Sequence, residues 1–275
     1  MNETAENQGA ASGTRTDSAA NDAASDVRST SPEKAPVRRA LVTGASGAIG
    51  GAIARRLARD GASLVLHANA RPDAVERLAE AIRHAGGRAE TCIFDLTDEA
   101  TCRSACDRLL EDGTIQIIVN NAGIHDDAVF PAMKSTQWHR VIDVSLHGFF
   151  NVTQPLLLPM LRTRWGRIVN ISSVAALIGN RGQVNYAAAK GALNSATRAL
   201  SLEVASRGVT VNAIAPGIIG SPMADAAFDA QTIARLVPLK RAGTPDEVAA
   251  LAGFLCGLDA GYITGQVISV NGGMC

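Results

Sequence analysis

The sequence has no block of Lys and Arg, no Cys-x-x-Cys pair and no apolar run near the roughly 20 residues of a membrane span. Lys plus Arg and Asp plus Glu stand at 26 each, so the electrostatic footprint of a nucleic-acid binder is missing. The five cysteines (Cys92, Cys102, Cys106, Cys256, Cys275) have no Cys/His ligand spacing and an odd count. That suits free thiols in a reducing compartment better than a disulfide framework, and it leaves no candidate metal ligands. Cys102 and Cys106 lie one helical turn apart, where packing is the simpler reason. These absences predict a soluble, cytoplasmic protein with neither a nucleic-acid nor a membrane partner. Residues 1–36 also lack Leu, Ile and Phe altogether. Such a segment buries too little apolar surface to offset its ordering entropy and is expected to be disordered. It has no apolar h-region of a secretory signal, and its acidic residues argue against a transit peptide.

From residue 37 to 275 short β-branched runs alternate with longer amphipathic segments. Strands are predicted at Ala40–Thr43, Ser63–His67, Ala89–Phe94, Ile115–Asn120, Arg167–Ser172, Thr210–Ala215 and Gln266–Val270. Several are apolar on both faces, as parallel strands covered on each side must be. Helices are predicted at Ile49–Arg59, Asp73–His84, Asp98–Glu111, Thr136–Leu161, Tyr186–Ser206 and Pro245–Leu255. The last opens with Thr244-Pro245-Asp246-Glu247, a capping box with Pro at the first helical position. No linker divides this region. The alternation predicts one α/β domain, a Rossmann-type doubly wound parallel sheet of about seven strands with helices on both faces.

Two clusters carry chemistry. After the first strand comes Thr43-Gly44-Ala45-Ser46-Gly47-Ala48-Ile49-Gly50. Glycines there allow a tight turn and close approach of backbone to a pyrophosphate, and the helix N-terminus offers free N–H groups to the phosphates. A glycine turn alone is a weak signal, and its position after the first strand strengthens it. The second strand ends in Leu66-His67-Ala68-Asn69-Ala70-Arg71, with no acid to select an unphosphorylated ribose. Arg71 could meet a 2′-phosphate, which favours NADP(H), or it could be a solvated residue before Pro72. The second cluster is Ile171-Ser172-Ser173 followed by Asn185-Tyr186-Ala187-Ala188-Ala189-Lys190. Tyr and Lys at i and i+4 share a helix face. An adjacent ammonium is expected to lower the phenol pKa toward working pH, letting Tyr186 give a proton to a carbonyl being reduced. A serine hydroxyl would stabilise the developing charge on the same oxygen.

Taken together, these segments resemble the short-chain dehydrogenases/reductases. The resemblance implies a Thr-Gly-xxx-Gly-x-Gly cofactor turn built from Gly44, Ser46, Gly47, Ile49 and Gly50, with Ala48 where the family's middle glycine falls. It implies that Asp95 and Leu96 meet the adenine, although Asp95 by itself reads as a helix cap. It implies that Asn121, Ala122 and Gly123 line the cofactor, and that Pro216, Gly217, Ile219 and Ser221 contact the nicotinamide. Tyr186 and Lys190 then serve both cofactor and catalysis. Family spacing selects Ser173 over Ser172 as the catalytic serine. One position departs: Ser145 stands where the family carries an asparagine that holds a water linking the lysine to solvent. A hydroxyl reaches less far than an amide, so a retained but weaker proton relay is expected.

Further segments, Gly179–Tyr186, Ala205–Asn212 and Val270–Met274, are similar to the beta-ketoacyl-(acyl-carrier-protein) reductases across essentially all of residues 38–275. This implies NADPH reduction of a 3-oxoacyl thioester, an acyl-carrier-protein partner gripped near the site mouth by Arg164 and Arg207, and a homotetramer. Both arginines could equally be ordinary solvated residues. Residues 224–236 would form a substrate lid. The competing readings are a dehydrogenase of another alcohol on the same scaffold, a ketoreductase of secondary metabolism, and a dinucleotide sensor without turnover.

Overall fold

A computed structural model describes residues 37–221 and 229–275. The expected disorder of residues 1–36 and the first part of the expected lid lie outside the described residues. Among the described residues sixteen β-strands and α-helices follow in order: β1 (Arg39–Val42), α1 (Ala48–Arg59), β2 (Ser63–Ala68), α2 (Pro72–His84), β3 (Arg88–Ile93), α3 (Glu99–Glu111), β4 (Ile115–Asn120), α4 (Ser135–Ile142), α5 (Gly148–Arg162), β5 (Gly166–Ile171), α6 (Ala175–Ile178), α7 (Val184–Val204), β6 (Val209–Pro216), α8 (Ala230–Leu236), α9 (Pro245–Cys256) and β7 (Val267–Val270).

The seven strands form one sheet in the order β3-β2-β1-β4-β5-β6-β7, and every pair is parallel. Alternate strand residues feed two apolar layers. Val42, Leu66, Val119 and Val169 pack with Ile53 of α1 and Val248 of α9 on one face. Leu41, Val65, Ile118 and Ile168 pack with Leu156 and Met160 of α5 on the other. Cys102 and Cys106 belong to that second layer, where burial holds both thiols well above the ordinary cysteine pKa, so they pack and do not react. The strand order reverses between β1 and β4, which opens a crevice at the carboxyl ends of the strands. The glycine turn after β1 and the Asn121 segment after β4 border that crevice.

The expected strands and helices have termini within two residues of those observed, apart from one element, and the short helices α6 and α8 were not expected. The helix predicted over Thr136–Leu161 is α4 and α5 joined by a π-helical turn, Asp143–His147, in which the Gly148 N–H donates to the Asp143 carbonyl. Ser145 sits at the centre of this turn and is buried. One inserted residue leaves the apolar pattern of both flanking helices intact, so periodicity does not reveal it. Such turns recur at functional sites. The capping box at Thr244 forms as expected: its hydroxyl accepts from the Glu247 N–H at 3.2 Å, and the Glu247 carboxylate accepts from the Thr244 N–H at 2.7 Å.

Candidate active site

The cofactor end is built around Gly44, whose φ of +64° lies in the left-handed region that glycine favours. A Cβ at Gly50 would stand 2.5 Å from the Gly44 carbonyl oxygen and from the Asn121 amide, so that position admits glycine alone. Gly47 is roomier, with only the Gly44 oxygen at 3.4 Å, and Ala48 is exposed at the start of α1. The alanine that departs from the family turn therefore adds a methyl pointing into solvent. The α1 N-terminus has no side-chain cap and no acid in its first turn, so its N–H groups and positive dipole end stay free for an anion. This cradle fits a dinucleotide pyrophosphate.

Asn121, just after β4, and Thr43, just after β1, brace the turn. The Asn121 amide donates to the carbonyls of Thr43 (2.8 Å) and Gly44 (3.1 Å), and the Thr43 hydroxyl accepts from the N–H groups of Asn121 and Ala122, both at 3.0 Å. Below them Asn120 donates to Thr153 and Asn170, and Asn170 to Thr197, a fully buried polar chain tying β4, α5, β5 and α7. On the adenosine side the Asp95 carboxylate accepts from the Thr97 N–H and hydroxyl, while Asp98 caps α3 through the Thr101 N–H. The capping job considered for Asp95 thus belongs to Asp98. Leu96 is buried, and its carbonyl accepts from Asn151 at 2.9 Å. Arg71 is exposed at the N-cap of α2 and has no ion-pair partner among the described residues. Its guanidinium is available to a phosphate.

The second cluster lies at the far wall of the crevice. Lys190 is 2% exposed, and its ammonium donates to the Ile171 carbonyl at 2.8 Å and sits 5.8 Å from the Tyr186 ring centre. Loss of solvation lowers the Lys190 pKa from 10.5 to about 8. Ser172 turns away from Tyr186, its hydroxyl donating to the Lys190 carbonyl at 3.4 Å, whereas Ser173 interacts with the phenol. Ser173 is thus the serine placed at the phenol. The expected lowering of the phenol pKa does not appear. Burial pushes Tyr186 upward, Ser173 pulls it back and the Asp127 carboxylate pushes it up again. Two buried groups side by side both lose solvation, and burial is the largest influence on each. Among the protein's own groups, Tyr186 is held protonated.

Ser145 faces the same place. A Cβ on Gly123 would lie 3.0 Å from the Lys190 Nζ and 3.5 Å from the Ser145 Oγ, so lysine and serine border one spot beside Gly123. The Ser145 hydroxyl is buried and has no hydrogen-bond partner among the described residues. Asp126 and Asp127, which motif reading passed over, flank Tyr186. Gln183 at the head of α7 donates to Asp127 at 2.9 Å, Gln137 donates to Asp126 at 2.7 Å, and Asn185 donates to the Asp126 and Gln137 carbonyls. Only the Asp-Asp pair itself, just after the Asn-Asn-Ala-Gly stretch, could have signalled them.

The Pro-Gly loop follows β6: the Pro216 carbonyl accepts from the Val174 N–H at 2.8 Å, the Gly217 N–H donates to Val270 at 2.9 Å, and Ile219 bridges to Gly243. Ser221 closes this stretch of described residues. The Arg164 main chain lies beside Gly208, where a Cβ would collide with the Arg164 carbonyl, which brings Arg164 next to the segment carrying Arg207, and both arginines are exposed. Their location corrects the expectation that they flank the chain's own site mouth. They precede β5 and β6, at the opposite end of the sheet from Ser173, about 20 Å away at 3.3 Å per residue. Strand direction sets this: residues before a parallel strand cannot share an end with residues after it.

A parallel sheet of this order, with a glycine turn at its switch point and a Ser/Tyr/Lys set across the crevice, defines a dinucleotide-dependent oxidoreductase scaffold. A family profile described as "Enoyl-(Acyl carrier protein) reductase" matches residues 44–275, and the chain belongs to the short-chain dehydrogenase/reductase family. Membership brings a nicotinamide dinucleotide and redox chemistry between C–OH and C=O. The chain is 45% identical to the 3-oxoacyl-[acyl-carrier-protein] reductase FabG of Aggregatibacter actinomycetemcomitans, across 86% of this chain and 98% of that protein. It is 42% identical to nodulation protein G of Azospirillum brasilense, across 86% of this chain and 97% of that protein. A solved structure from Agrobacterium tumefaciens, provisionally described as a gluconate dehydrogenase, superposes with a TM-score of 0.83 at 35% identity, covering 86% of this chain and 95% of that one. No helix among the described residues is long and apolar enough to cross a membrane.

Proposed function

We propose that this chain reduces the 3-oxo group of an acyl thioester, carried on acyl-carrier protein, to the 3-hydroxyacyl thioester with NADPH. The observation that carries the reading is the buried Lys190 beside a protonated Tyr186 with Ser173 against its phenol, in a chain 45% identical to a 3-oxoacyl-[acyl-carrier-protein] reductase. The bound dinucleotide supplies the hydride. Ser173 and Tyr186 receive the substrate carbonyl oxygen, and hydrogen bonds from both favour the charge that grows on it. Tyr186 then gives its phenolic proton to that oxygen, and the neighbouring Lys190 ammonium steadies the phenolate that remains. Ser145, across Gly123 from Lys190, forms the first step of the path that returns a proton. The exposed Arg71 beside the α2 N-terminus favours the 2′-phosphate of NADPH.

Arg164 and Arg207 form a paired basic surface suited to an acidic carrier. Their distance from Ser173 of the same chain means that a carrier docked there serves the site of another copy, which a homotetramer would provide. The likeness to a gluconate dehydrogenase supports a second reading, oxidation of a polyhydroxy acid on the same Ser/Tyr/Lys set. A turnover panel decides. NADPH consumption is followed with an acetoacetyl thioester on carrier protein and on a small thiol, and NADP reduction with gluconate. The proposal expects kcat/KM to rank carrier above small thioester, with gluconate inert. Charge reversal at Arg164 and Arg207 should then erase only the carrier's advantage. Turnover of gluconate without turnover of either thioester overturns it.

A further inference from the structure

His67, at the end of β2, is 1% exposed, and both of its ring nitrogens are engaged by main chain. Its Nδ1 accepts from the Gly44 N–H at 3.3 Å, and its Nε2 lies 2.9 Å from the Phe94 carbonyl oxygen. An imidazole that accepts at Nδ1 and faces a carbonyl at Nε2 must be neutral and carry its proton on Nε2. The ring also lies against Phe94, with centroids 4.3 Å apart. Burial agrees, lowering the His67 pKa to about 4, so this state holds throughout the working range.

The two partners are not arbitrary. Gly44 opens the phosphate turn, and Phe94 is the residue before Asp95. The Thr43–Gly44 peptide donates its N–H to His67 of β2, and its carbonyl accepts from Asn121, just after β4. The peptide at the left-handed bend is therefore held from both neighbouring strands and cannot rotate. The His67 carbonyl adds a third tie, accepting from the Ala45 N–H at 2.9 Å. The Ala45 bond is main-chain and would survive any side chain at 67, whereas a phenylalanine, which would stack as well, would lose both ring-nitrogen bonds. We propose that His67 is a positioning residue for the adenosine half of the dinucleotide, fixing the Gly44 turn relative to the Phe94–Asp95 wall through its two ring nitrogens. The proposal rests on the reading that this turn binds the dinucleotide.

The test uses the purified full chain and measures dissociation constants for NADPH and for 2′,5′-ADP, which carries only the adenosine end. Kinetics and thermal midpoints are measured alongside. His67→Phe keeps the ring contact and removes both hydrogen bonds. His67→Asn places Oδ1 near the Nδ1 position, keeping the acceptor for Gly44, and His67→Gln reaches toward Phe94 instead. The expected result is a parallel rise in both dissociation constants for His67→Phe, about tenfold or more, the factor carried by one lost hydrogen bond. The thioester KM and the kcat at saturating NADPH should stay within about twofold, since less than a hydrogen bond's worth of change is expected there. His67→Asn should bind both ligands more tightly than His67→Gln, a difference that a general loss of packing would not produce. If His67→Phe does not fold, the Asn and Gln variants decide. Unchanged dissociation constants in folded variants, or equal binding by Asn and Gln, overturn the proposal while leaving the dinucleotide reading intact. Failure of the wild-type chain to bind either ligand overturns both.

Discussion

Lys190→Met is expected to abolish reduction and to remove a pH dependence from folding stability. The drop of the Lys190 pKa from 10.5 to about 8 corresponds to about 3 kcal/mol that the buried ammonium costs at neutral pH, at 1.36 kcal/mol per tenfold change in proton affinity. The folded value lies below the unfolded one, so between pH 8 and 10.5 the unfolded chain binds more protons and stability rises with pH. Going from about pH 7 to about 9.5, wild type should gain about 2 kcal/mol relative to Lys190→Met, the amount the two proton-binding curves give. Methionine keeps an unbranched stem in the cavity and carries no charge. The comparison also cancels every other group that titrates in this range. The assay is urea unfolding of both proteins, free of dinucleotide and at one protomer concentration, since ligand and assembly shift apparent stability. A stability difference that stays flat across this range would show that the ammonium is not desolvated, and the reasoning would fail.

Ser145→Asn should raise kcat for ketone reduction by up to about tenfold, because an amide reaching toward Lys190 replaces a hydroxyl with no partner among the described residues. Unchanged kcat and pH profile would make Ser145 a silent variation. Gly50→Ala should weaken dinucleotide binding severely, since its Cβ meets the Gly44 carbonyl at 2.5 Å, whereas Gly47→Ala, at 3.4 Å, should bind within about threefold of wild type. Equal behaviour in a direct titration would contradict the shape assigned to the turn. Asp127→Asn removes a negative charge that pushes the Tyr186 phenol up, so the limb of the kcat/KM profile belonging to Tyr186 should move to lower pH. A limb that stays put would place Asp127 outside the electrostatics of the site.

Strand and helix positions were legible because each apolar run fills one of two layers, as Leu41 and Val42 show by facing opposite cores. The pairing of Tyr186 with Lys190 was legible because i and i+4 fix a helix face whatever the tertiary context. What sequence hid are consequences of three dimensions. The π turn at Ser145 changes hydrogen bonding without changing hydropathy. The direction of the Tyr186 shift depends on burial, which motif spacing does not encode, and spacing alone suggested the opposite sign. Arg164 and Arg207 sit in segments that resemble a docking motif, yet strand polarity sends them to the end of the sheet away from Ser173. His67 was silent because one histidine in an apolar strand carries no pattern, and its two main-chain partners come from residues 23 and 27 positions away.

The central claim is that Tyr186 delivers the proton to a 3-oxoacyl thioester at a site already able to hold the dinucleotide. Tyr186→Phe keeps the ring and removes only the phenolic oxygen, so one paired measurement isolates that role: single-turnover oxidation of bound NADPH by an acetoacetyl thioester, with NADPH affinity titrated on the same samples. The account predicts turnover by wild type and a fall of about 10²–10⁴-fold in the variant, the usual worth of a positioned general acid, with NADPH affinity unchanged. A Tyr186→Phe protein that reduces the thioester at the wild-type rate would contradict it.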